Sequence, residues 1–321
     1  MVDNISCRFC ELSNTKAFYH TFDIFGNSFK IYKCSDCNVY FLGPHPSKSI
    51  LDKAYDSSYY GEKDEKFYHF FEKVIDYFRW RRAKRVSKFL VDGSKVLDIG
   101  CGNGRFLSSL SKLGKYELFG TEMDGNSANR AKRIAKINLK IGAITKDDFA
   151  NDTFDVITMY HVFEHLTEPK ETIEIIKKIL KKDGVFVVSF PNITSLQSKL
   201  FKGKWFHLDP PRHLLFFDPN DFSKLLSSYN FKLVNLKYTS TEQNPYGMVQ
   251  SILNMLNKKR EILFEFLKRN SSYTKDISKF NLFAQFAFFI ISFPFFILTD
   301  AVVSLFKKGA TVEFIFQKIS D

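Results

Sequence analysis

Residues 95–104, Lys-Val-Leu-Asp-Ile-Gly-Cys-Gly-Asn-Gly, decide the fold of this chain. The apolar run 96–99 predicts a short buried parallel strand, and the spacing of apolar residues after Gly104 predicts an amphipathic helix. The glycines therefore lie in a strand-to-helix turn, where they permit positive φ angles and let the backbone approach a ligand. The free N–H groups at the helix start and the Asp98 carboxylate offer polar contacts. This pattern indicates a pocket for a nucleotide-type ligand.

The chain after this turn alternates strands with helices, which is typical of an α/β fold. We predict strands at 116–121, 137–144, 154–160, 185–190 and 231–238, and helices at 168–180 and 218–229. Glu122 ends the first of these strands, where a carboxylate can hold both ribose hydroxyls of a nucleoside. The alternative is a solvated loop carboxylate. A dinucleotide fingerprint would place a third glycine where Arg105 stands, so a dinucleotide is not indicated.

The Asp-x-Gly-x-Gly-x-Gly spacing and the strings at the strand ends resemble the class I S-adenosylmethionine-dependent methyltransferases, over residues 80–240. Similar strings are found in ubiquinone-biosynthesis O-methyltransferases and in sugar methyltransferases of bacterial polysaccharide and antibiotic pathways. The resemblance implies a Rossmann-like, mostly parallel seven-stranded sheet with flanking helices and S-adenosyl-L-methionine as cofactor. The expected cofactor-binding residues are Asp98, Gly100, Cys101, Gly102, Gly104, Glu122, Met123, Ile144, Tyr160 and His161.

Cys101 and Ile144 have particular expected roles in this set. Cys101 is expected to be a small packing residue beside the cofactor rather than a nucleophile. Related enzymes often have an acidic or hydroxyl residue where this chain has Ala143, so the adenine contact is expected from the main chain around Ile144.

Four of the five cysteines form two Cys-x-x-Cys pairs near the amino terminus. Cys7 and Cys10 form the first pair, and Cys34 and Cys37 form the second. Two such turns present four thiolates tetrahedrally, as in a zinc ribbon, and four protein ligands leave no open position, so the expected Zn²⁺ is structural. Two disulfides are the alternative, which a chain without a visible secretion signal is not expected to keep oxidised. By resemblance, similar ribbons precede the catalytic domain in some sugar C-methyltransferases.

The chain is basic, with 47 Lys and Arg residues against 35 Asp and Glu residues and a net charge of +12. Such an excess can attract nucleic acid, an anionic membrane or an acidic substrate. The basic residues form scattered clusters without an RNA-binding motif, so nucleic acid is an unlikely partner. The cluster at 79–85 is either a solvated face or a contact for a phosphate-bearing substrate.

Two histidine-bearing loops are candidates for acceptor chemistry. His161, Glu164 and His165 formally match an inverted zinc-protease motif, but that motif needs a helix and these residues follow a strand. By resemblance, Glu164 and His165 face the acceptor or orient loops. His213 follows two prolines and an arginine, and its imidazole suits proton removal near neutral pH. We predict His213 and His165 as catalytic residues; a structural histidine that fixes the loop is the alternative for His213.

The segment between ribbon and core carries a tyrosine cluster. By resemblance, Tyr59 or Tyr60 covers the cofactor or lines the acceptor pocket, and packing between ribbon and core is the alternative. Residues 67–90 follow with helical apolar spacing and predict an amphipathic helix, with a break near Trp80.

The carboxyl-terminal third contains an apolar stretch without charged side chains at 281–299, long enough for a transmembrane helix. Pro294 interrupts it, and the alternating strand at 311–318 is expected to insert antiparallel into the core sheet. A helix that crossed the membrane once would place that strand on the opposite side from the core. We therefore predict a kinked helical hairpin or an interfacial element that enters and leaves one leaflet. Lysines at its ends suit anionic lipid. A buried helix or a dimer interface is the alternative.

Together these patterns divide the chain into a zinc ribbon (1–45), a linker and helix (46–92), a cofactor-binding core (93–245), a helical, membrane-associated insertion (246–310) and a final core strand (311–321). The predicted activity is methyl transfer to a small-molecule acceptor, first a sugar or glycan intermediate, which could be lipid-linked, and second a quinone or other lipid. A non-catalytic scaffold that recruits a partner through the ribbon is the alternative of another class. The predicted location is the cytoplasm, with peripheral contact to the inner face of the cell membrane through residues 280–308.

Overall fold

The amino-terminal cysteine pairs flank a small antiparallel sheet. The structure, a computed structural model, describes residues 5–55, 69–134 and 136–319. Within these residues, four strands form the small sheet in the order β1 (Thr15–Phe22), β2 (Ser28–Cys34), β3 (Tyr40–Gly43) and β9 (Leu215–Phe216). The fourth strand comes from far along the chain, so the cysteine-rich module is joined to the rest of the protein by backbone pairing.

The larger sheet positions the glycine turn at its centre. Within the described residues it has seven strands, which are β4 (Lys95–Ile99), β5 (Glu117–Glu122), β6 (Ile137–Ile141), β7 (Phe154–Tyr160), β8 (Leu180–Pro191), β10 (Phe231–Lys237) and β11 (Thr311–Lys318). Their order is β10-β11-β8-β7-β4-β5-β6, and only the pairings of β11 are antiparallel. The chain reverses direction across the sheet between β4 and β7, where open α/β sheets bind their ligands.

Helices flank both sheets. They are α1 (Lys48–Ala54), α2 (His69–Val86), α3 (Arg105–Leu110), α4 (Asn126–Ala131), α5 (Pro169–Ile179), α6 (Leu196–Phe201), α7 (Pro219–Ser227), α8 (Asn244–Leu256), α9 (Ile262–Leu267), α10 (Ser271–Thr274) and α11 (Lys279–Leu305). The Asp218 side chain caps α7 by accepting hydrogen bonds from two backbone N–H groups, ahead of a proline at the first helical position.

Phenylalanine rings fill much of the core between the large sheet and α7. Phe190 of β8 lies 4.6 Å from Phe222 of α7 and 5.3 Å from Phe314 of β11, measured between ring centroids. Phe217 and Phe163 extend the same cluster toward the cysteine-rich module, where Phe9 meets Phe217 edge-on at 6.2 Å. One continuous core therefore joins the module to the large sheet, which accounts for much of the chain's high phenylalanine content.

Several predicted elements differ from the structure. Helix α2 is continuous through Trp80, where we expected a break, and it ends at Val86. Strand β8 begins at Leu180, five residues before the predicted start at residue 185, and the strand predicted to Ile144 ends at Ile141. The predicted roles of Tyr59 and Tyr60 lie outside the described residues.

The apolar stretch near the carboxyl terminus, predicted as a kinked hairpin or an interfacial element, forms one helix and not a hairpin. Helix α11 runs through Pro294 without interruption, and within the described residues it is the one helix long and apolar enough to cross a membrane. Its mean hydropathy is 2.2, yet only 11% of its most apolar window is buried. One side packs through Phe289 against Val249 and Leu253 of α8, and the other side is exposed.

Candidate functional site

The glycine turn after β4 forms one wall of the candidate site. Gly100, Gly102 and Gly104 have φ angles of +70°, +58° and +73°, values that residues with a side chain rarely adopt. A Cβ atom at Gly100 would also overlap Val162, so that position excludes any larger residue. The turn therefore brings a backbone without side chains at these three positions next to the carboxyl ends of β4 and β5.

Two carboxylates lie beside this turn, as the sequence predicted. Asp98 is buried at the end of β4 and accepts a 2.6 Å hydrogen bond from Thr158 Oγ1. Glu122, at the end of β5, accepts a 2.6 Å hydrogen bond from the Gly102 N–H through Oε2. Glu122 therefore extends from the end of β5 to the glycine turn that follows the neighbouring strand β4. A carboxylate at this position is suited to a ribose held beside the turn.

Burial changes the ionisation of both carboxylates. It raises the pKa of Asp98 to about 7, although the hydrogen bond from Thr158 opposes the shift. It also raises the pKa of Glu122, against the effect of the backbone N–H groups of Gly102 and Met123. A cationic ligand in this site would favour the ionised form of both groups.

The other predicted cofactor residues surround the turn at different depths. Cys101 is buried against Gly120, and burial raises the pKa of its thiol, so it stays protonated at neutral pH. The side chain of Met123 is exposed, and Ile144 packs at the edge of the core. Tyr160 is half-buried, with its ring 5.4 Å from Phe106 and the Arg82 guanidinium 5.0 Å from its ring centroid.

A cavity of about 480 Å³ opens beside Tyr160 and His161 at the carboxyl end of β7. One part of its lining is polar and includes His165, Asp209 and His213. The other part is apolar and aromatic and comes from α2, α8, α9 and α11, through residues such as Phe78, Tyr246, Phe264, Leu267, Phe289 and Phe293. The cavity thus suits a molecule with one polar end and one apolar end.

The two predicted catalytic histidines meet at the polar end of this cavity. The rings of His165 and His213 lie edge to face, with centroids 4.6 Å apart. His213 Nδ1 lies 2.8 Å from the backbone oxygen of His207, which can only accept a hydrogen bond. Nδ1 therefore carries a proton, and in the neutral form of the ring the lone pair is on Nε2. Two carboxylates lie near Nε2, with Asp209 Oδ2 at 3.7 Å and Glu164 Oε1 at 3.9 Å.

His165 has a different environment. Its Nδ1 lies 2.9 Å from the Arg212 backbone oxygen and 3.0 Å from the Tyr55 hydroxyl. Burial, together with the nearby charge of His213, lowers the pKa of His165 to about 4. His165 is therefore neutral at physiological pH and is a weaker base than an ordinary histidine.

Glu164 is fully buried between the histidines. Burial opposes its ionisation, but the proximity of His161, His213 and His165 lowers its pKa below the ordinary value. His161 Nδ1 is 3.4 Å from Glu164 Oε1, and His161 adopts a φ of +55°, which is unusual for a residue with a side chain. Backbone strain of this kind concentrates at functional sites.

The four cysteines of the ribbon converge as predicted. Cys7 Sγ lies 3.6 Å from Cys37 Sγ, and Cys10 Sγ lies 3.5 Å from Cys34 Sγ. Four sulfurs at 2.3 Å from a tetrahedral Zn²⁺ are separated by about 3.8 Å, which is close to these distances. The Phe9 N–H also points to Cys7 Sγ at 3.4 Å, as in metal-binding knuckles. The donor set and spacing therefore fit a structural zinc ion.

Several site residues were not identified from the sequence. Thr158 holds Asp98, while Arg82 pairs with Glu242 at the edge of the cavity. Arg212 pairs with Asp209 and donates to the Ala54 carbonyl, which ties the histidine loop to α1. Only the Asp-Pro-Pro-Arg-His string gave a signal for these contacts, because the other partners are distant in sequence.

Comparison with known proteins supports the same assignment of the core. A family model described as a methyltransferase domain matches residues 70–236. A ubiquinone biosynthesis O-methyltransferase from Glaesserella parasuis is 34% identical over 113 residues, which cover 32% of this chain and 48% of the relative. A mitochondrial ubiquinone biosynthesis O-methyltransferase from Dictyostelium discoideum is 28% identical over 188 residues, covering 52% and 58%. The chain spans about half the length of the curated relatives it matches.

A solved structure agrees at the level of the fold. The [4+2]-cyclase SpnF superimposes with a TM-score of 0.50 and 15% sequence identity, covering 75% of this chain and 81% of that chain. That protein is described as a cyclase, so the shared fold alone does not define the reaction. The chemistry must be argued from the residues of the site.

Proposed function

This chain belongs to the methyltransferase-domain family, and from that premise we propose that it transfers a methyl group from S-adenosylmethionine to a small-molecule acceptor. The observation that carries the proposal is the contact between Glu122 and the Gly102 N–H, which joins a ribose-binding carboxylate to an intact glycine turn. A scaffold that recruits a partner through the ribbon would not need this arrangement.

The cofactor lies along the carboxyl ends of β4, β5 and β7 in this proposal. The glycine turn and Asp98 hold its methionine part, Glu122 holds the ribose, and the main chain at Ile144 contacts the adenine. When bound, the cofactor supplies a methyl group on a positively charged sulfur. Tyr160 and His161 separate this region from the cavity of about 480 Å³, which takes the acceptor.

An acceptor oxygen held in this cavity would receive the methyl group, and the electron pair of the broken carbon–sulfur bond would stay on sulfur. His213 Nε2 takes the proton of the acceptor hydroxyl, and Glu164 and Asp209 stabilise the resulting imidazolium. His165 is the second candidate for the general base, but its low pKa makes it a weak base. A role in lining the cavity and orienting the loop is therefore favoured for His165. Collinear positioning of oxygen, methyl and sulfur supplies much of the rate enhancement.

The acceptor we favour is a sugar or glycan intermediate, carried on a lipid, and a quinone or other lipid is the second candidate. The polar end of the cavity suits a hydroxylated ring, and the apolar end suits a hydrocarbon chain. Purified enzyme with methyl-labelled S-adenosylmethionine should label a polyprenyl-linked sugar or a quinone precursor. Failure to label any hydroxylated lipid acceptor, while S-adenosylmethionine binds, would contradict this acceptor class.

The ribbon holds a structural zinc ion in this proposal, which predicts about one zinc per purified chain. Cys34→Ser should lose the metal and lower the thermal midpoint of unfolding, because β3 and β9 join the ribbon to the histidine loop. Metal content is measured by mass spectrometry of the purified protein. Cys101→Ser is the matched control and should keep its zinc, and equal zinc content in both variants would contradict the assignment.

Helix α11 holds the enzyme on the inner face of the cell membrane in this proposal, which places the rest of the protein in the cytoplasm. Both ends of the helix return to the protein, because β11 follows it and pairs with β8. At 1.5 Å per residue the helix is about 40 Å long and can lie along a bilayer. Lysines at its ends, Lys275, Lys279, Lys307 and Lys308, suit anionic lipid headgroups.

The outer face of α11 provides the test of this membrane contact. Ile291 and Phe295 are 78% and 61% exposed, and burying each side chain in a bilayer stabilises binding by about 1.5–3 kcal/mol. The double variant Ile291→Ser with Phe295→Ser should therefore bind anionic vesicles at least about tenfold more weakly in a sedimentation assay. Val234→Ser, at an exposed apolar site on β10, is the control. Equal binding of all three proteins would exclude this face as the membrane contact.

A further inference from the structure

A second, smaller cavity adjoins the acceptor cavity. Its volume is about 90 Å³, several times the 10–15 Å³ that one water molecule needs. The two cavities share Phe78, Arg82, His161 and Glu242 in their linings, so a group in the small cavity would be continuous with a molecule in the large one.

The small cavity carries an excess of positive charge. Four cationic side chains line it, Arg81, Arg82, Arg85 and Lys237, together with two carboxylates, Glu242 and Glu313. Arg82 pairs with Glu242. Arg85 pairs with Glu313 through two parallel contacts, from Nε at 3.1 Å and from Nη2 at 2.7 Å. Two of the four positive charges are thus neutralised within the cavity wall.

The remaining two cations, Arg81 and Lys237, have no ion pair with a carboxylate within the described residues. Arg81 is exposed and lies with its guanidinium 6.0 Å from the Tyr77 ring centroid. Lys237 is half-buried, and burial, together with the nearby Arg85, lowers its pKa. A partly buried cation beside other cations is stabilised when an anion occupies the space between them.

We propose that this cavity binds a phosphate or diphosphate group of the acceptor, with Arg81 and Lys237 as its free cations. Both side chains can pair with the negative charges of a diphosphate diester, although the Glu313 and Asp300 carboxylates offset part of the charge of Lys237. The side-chain hydroxyls of Thr239 and Thr241 line the same cavity and can donate hydrogen bonds to phosphate oxygens. This inference rests on the proposed function and deepens it, because it favours a phosphate-linked sugar over a quinone, which has no such group.

The probe for this site is inorganic pyrophosphate, titrated by calorimetry into the zinc-loaded full chain with S-adenosylhomocysteine present. We expect binding to the unaltered protein and at least about tenfold weaker binding to Arg81→Gln and to Lys237→Gln. Lys232→Gln, an exposed lysine of β10 outside the cavity, is the control and should bind as the unaltered protein does. Arg81 is exposed, so its variant should fold normally, which a thermal melt checks.

Competition then separates the two sources of such a group. Displacement of pyrophosphate by uridine diphosphate supports a nucleotide-linked sugar, and displacement by vesicles containing a polyprenyl diphosphate supports a lipid-linked one. The inference is overturned if pyrophosphate does not bind, or if it binds all four proteins equally, while S-adenosylhomocysteine still binds. If the unaltered protein did not bind S-adenosylhomocysteine, the proposed function itself would be overturned.

Discussion

His213→Gln lowers kcat by about 10²–10⁴-fold, the contribution typical of a general base, while the affinity for S-adenosylhomocysteine changes little. The reason is geometric, because Nε2 of His213 has a free lone pair at the polar end of the acceptor cavity. Glutamine keeps a comparable polar side chain but cannot accept the proton. The measurement is steady-state methyl transfer at saturating acceptor, which gives kcat separately from KM.

A structural role for His213 would give a different result. If the histidine only fixes its loop, the variant should lose thermal stability and KM should rise, but kcat should change little. His20→Gln, at an exposed position on β1, controls for the substitution itself. An unchanged kcat in folded His213→Gln would remove this residue from the chemistry and would bring His165 forward.

Glu122→Ala weakens the binding of S-adenosylmethionine and S-adenosylhomocysteine by about 100-fold. A carboxylate that accepts hydrogen bonds from both ribose hydroxyls contributes about 3 kcal/mol, and each 1.4 kcal/mol is tenfold in affinity. The variant also frees the Gly102 N–H, which Glu122 holds at 2.6 Å. Calorimetric titration of both ligands gives the affinities.

Glu117→Ala is the matched control for this substitution. Glu117 begins the same strand, β5, is exposed and pairs with Lys95 at 3.3 Å, far along the strand from the glycine turn. Its removal should leave cofactor affinity unchanged. If Glu122→Ala bound the cofactor as tightly as Glu117→Ala, the ribose site would lie elsewhere.

The sequence predicted those parts of the site whose signals are local. The strand and helix around the glycine turn follow from short-range periodicity, and Glu122 follows because adjacent parallel strands end at one edge of the sheet. In each cysteine pair only two residues separate the two metal-binding cysteines, so this spacing can be recognised directly in the sequence. The antiparallel insertion of β11 was also predicted, from resemblance to the family and its alternating pattern, and the structure has this pairing.

The contacts that could not be predicted from the sequence join segments that are far apart along the chain. Strand β9 pairs with β3, which lies far earlier in the chain. A strand of two residues is too short to show an alternating pattern in the sequence. The positive φ of His161 is also not marked by any local pattern in the sequence. The hairpin alternative for residues 281–299 rested on Pro294, which usually kinks or breaks a helix, whereas α11 runs through it.

Calorimetric titration of the purified, zinc-loaded protein with S-adenosylmethionine and, separately, with S-adenosylhomocysteine tests the central claim most directly. Our account predicts that both ligands bind with about one site per chain, because they share the ribose and methionine parts that Glu122 and the glycine turn hold. Binding of neither ligand to folded protein would contradict the methyl-transfer proposal and would leave a partner-recruiting scaffold as the better explanation.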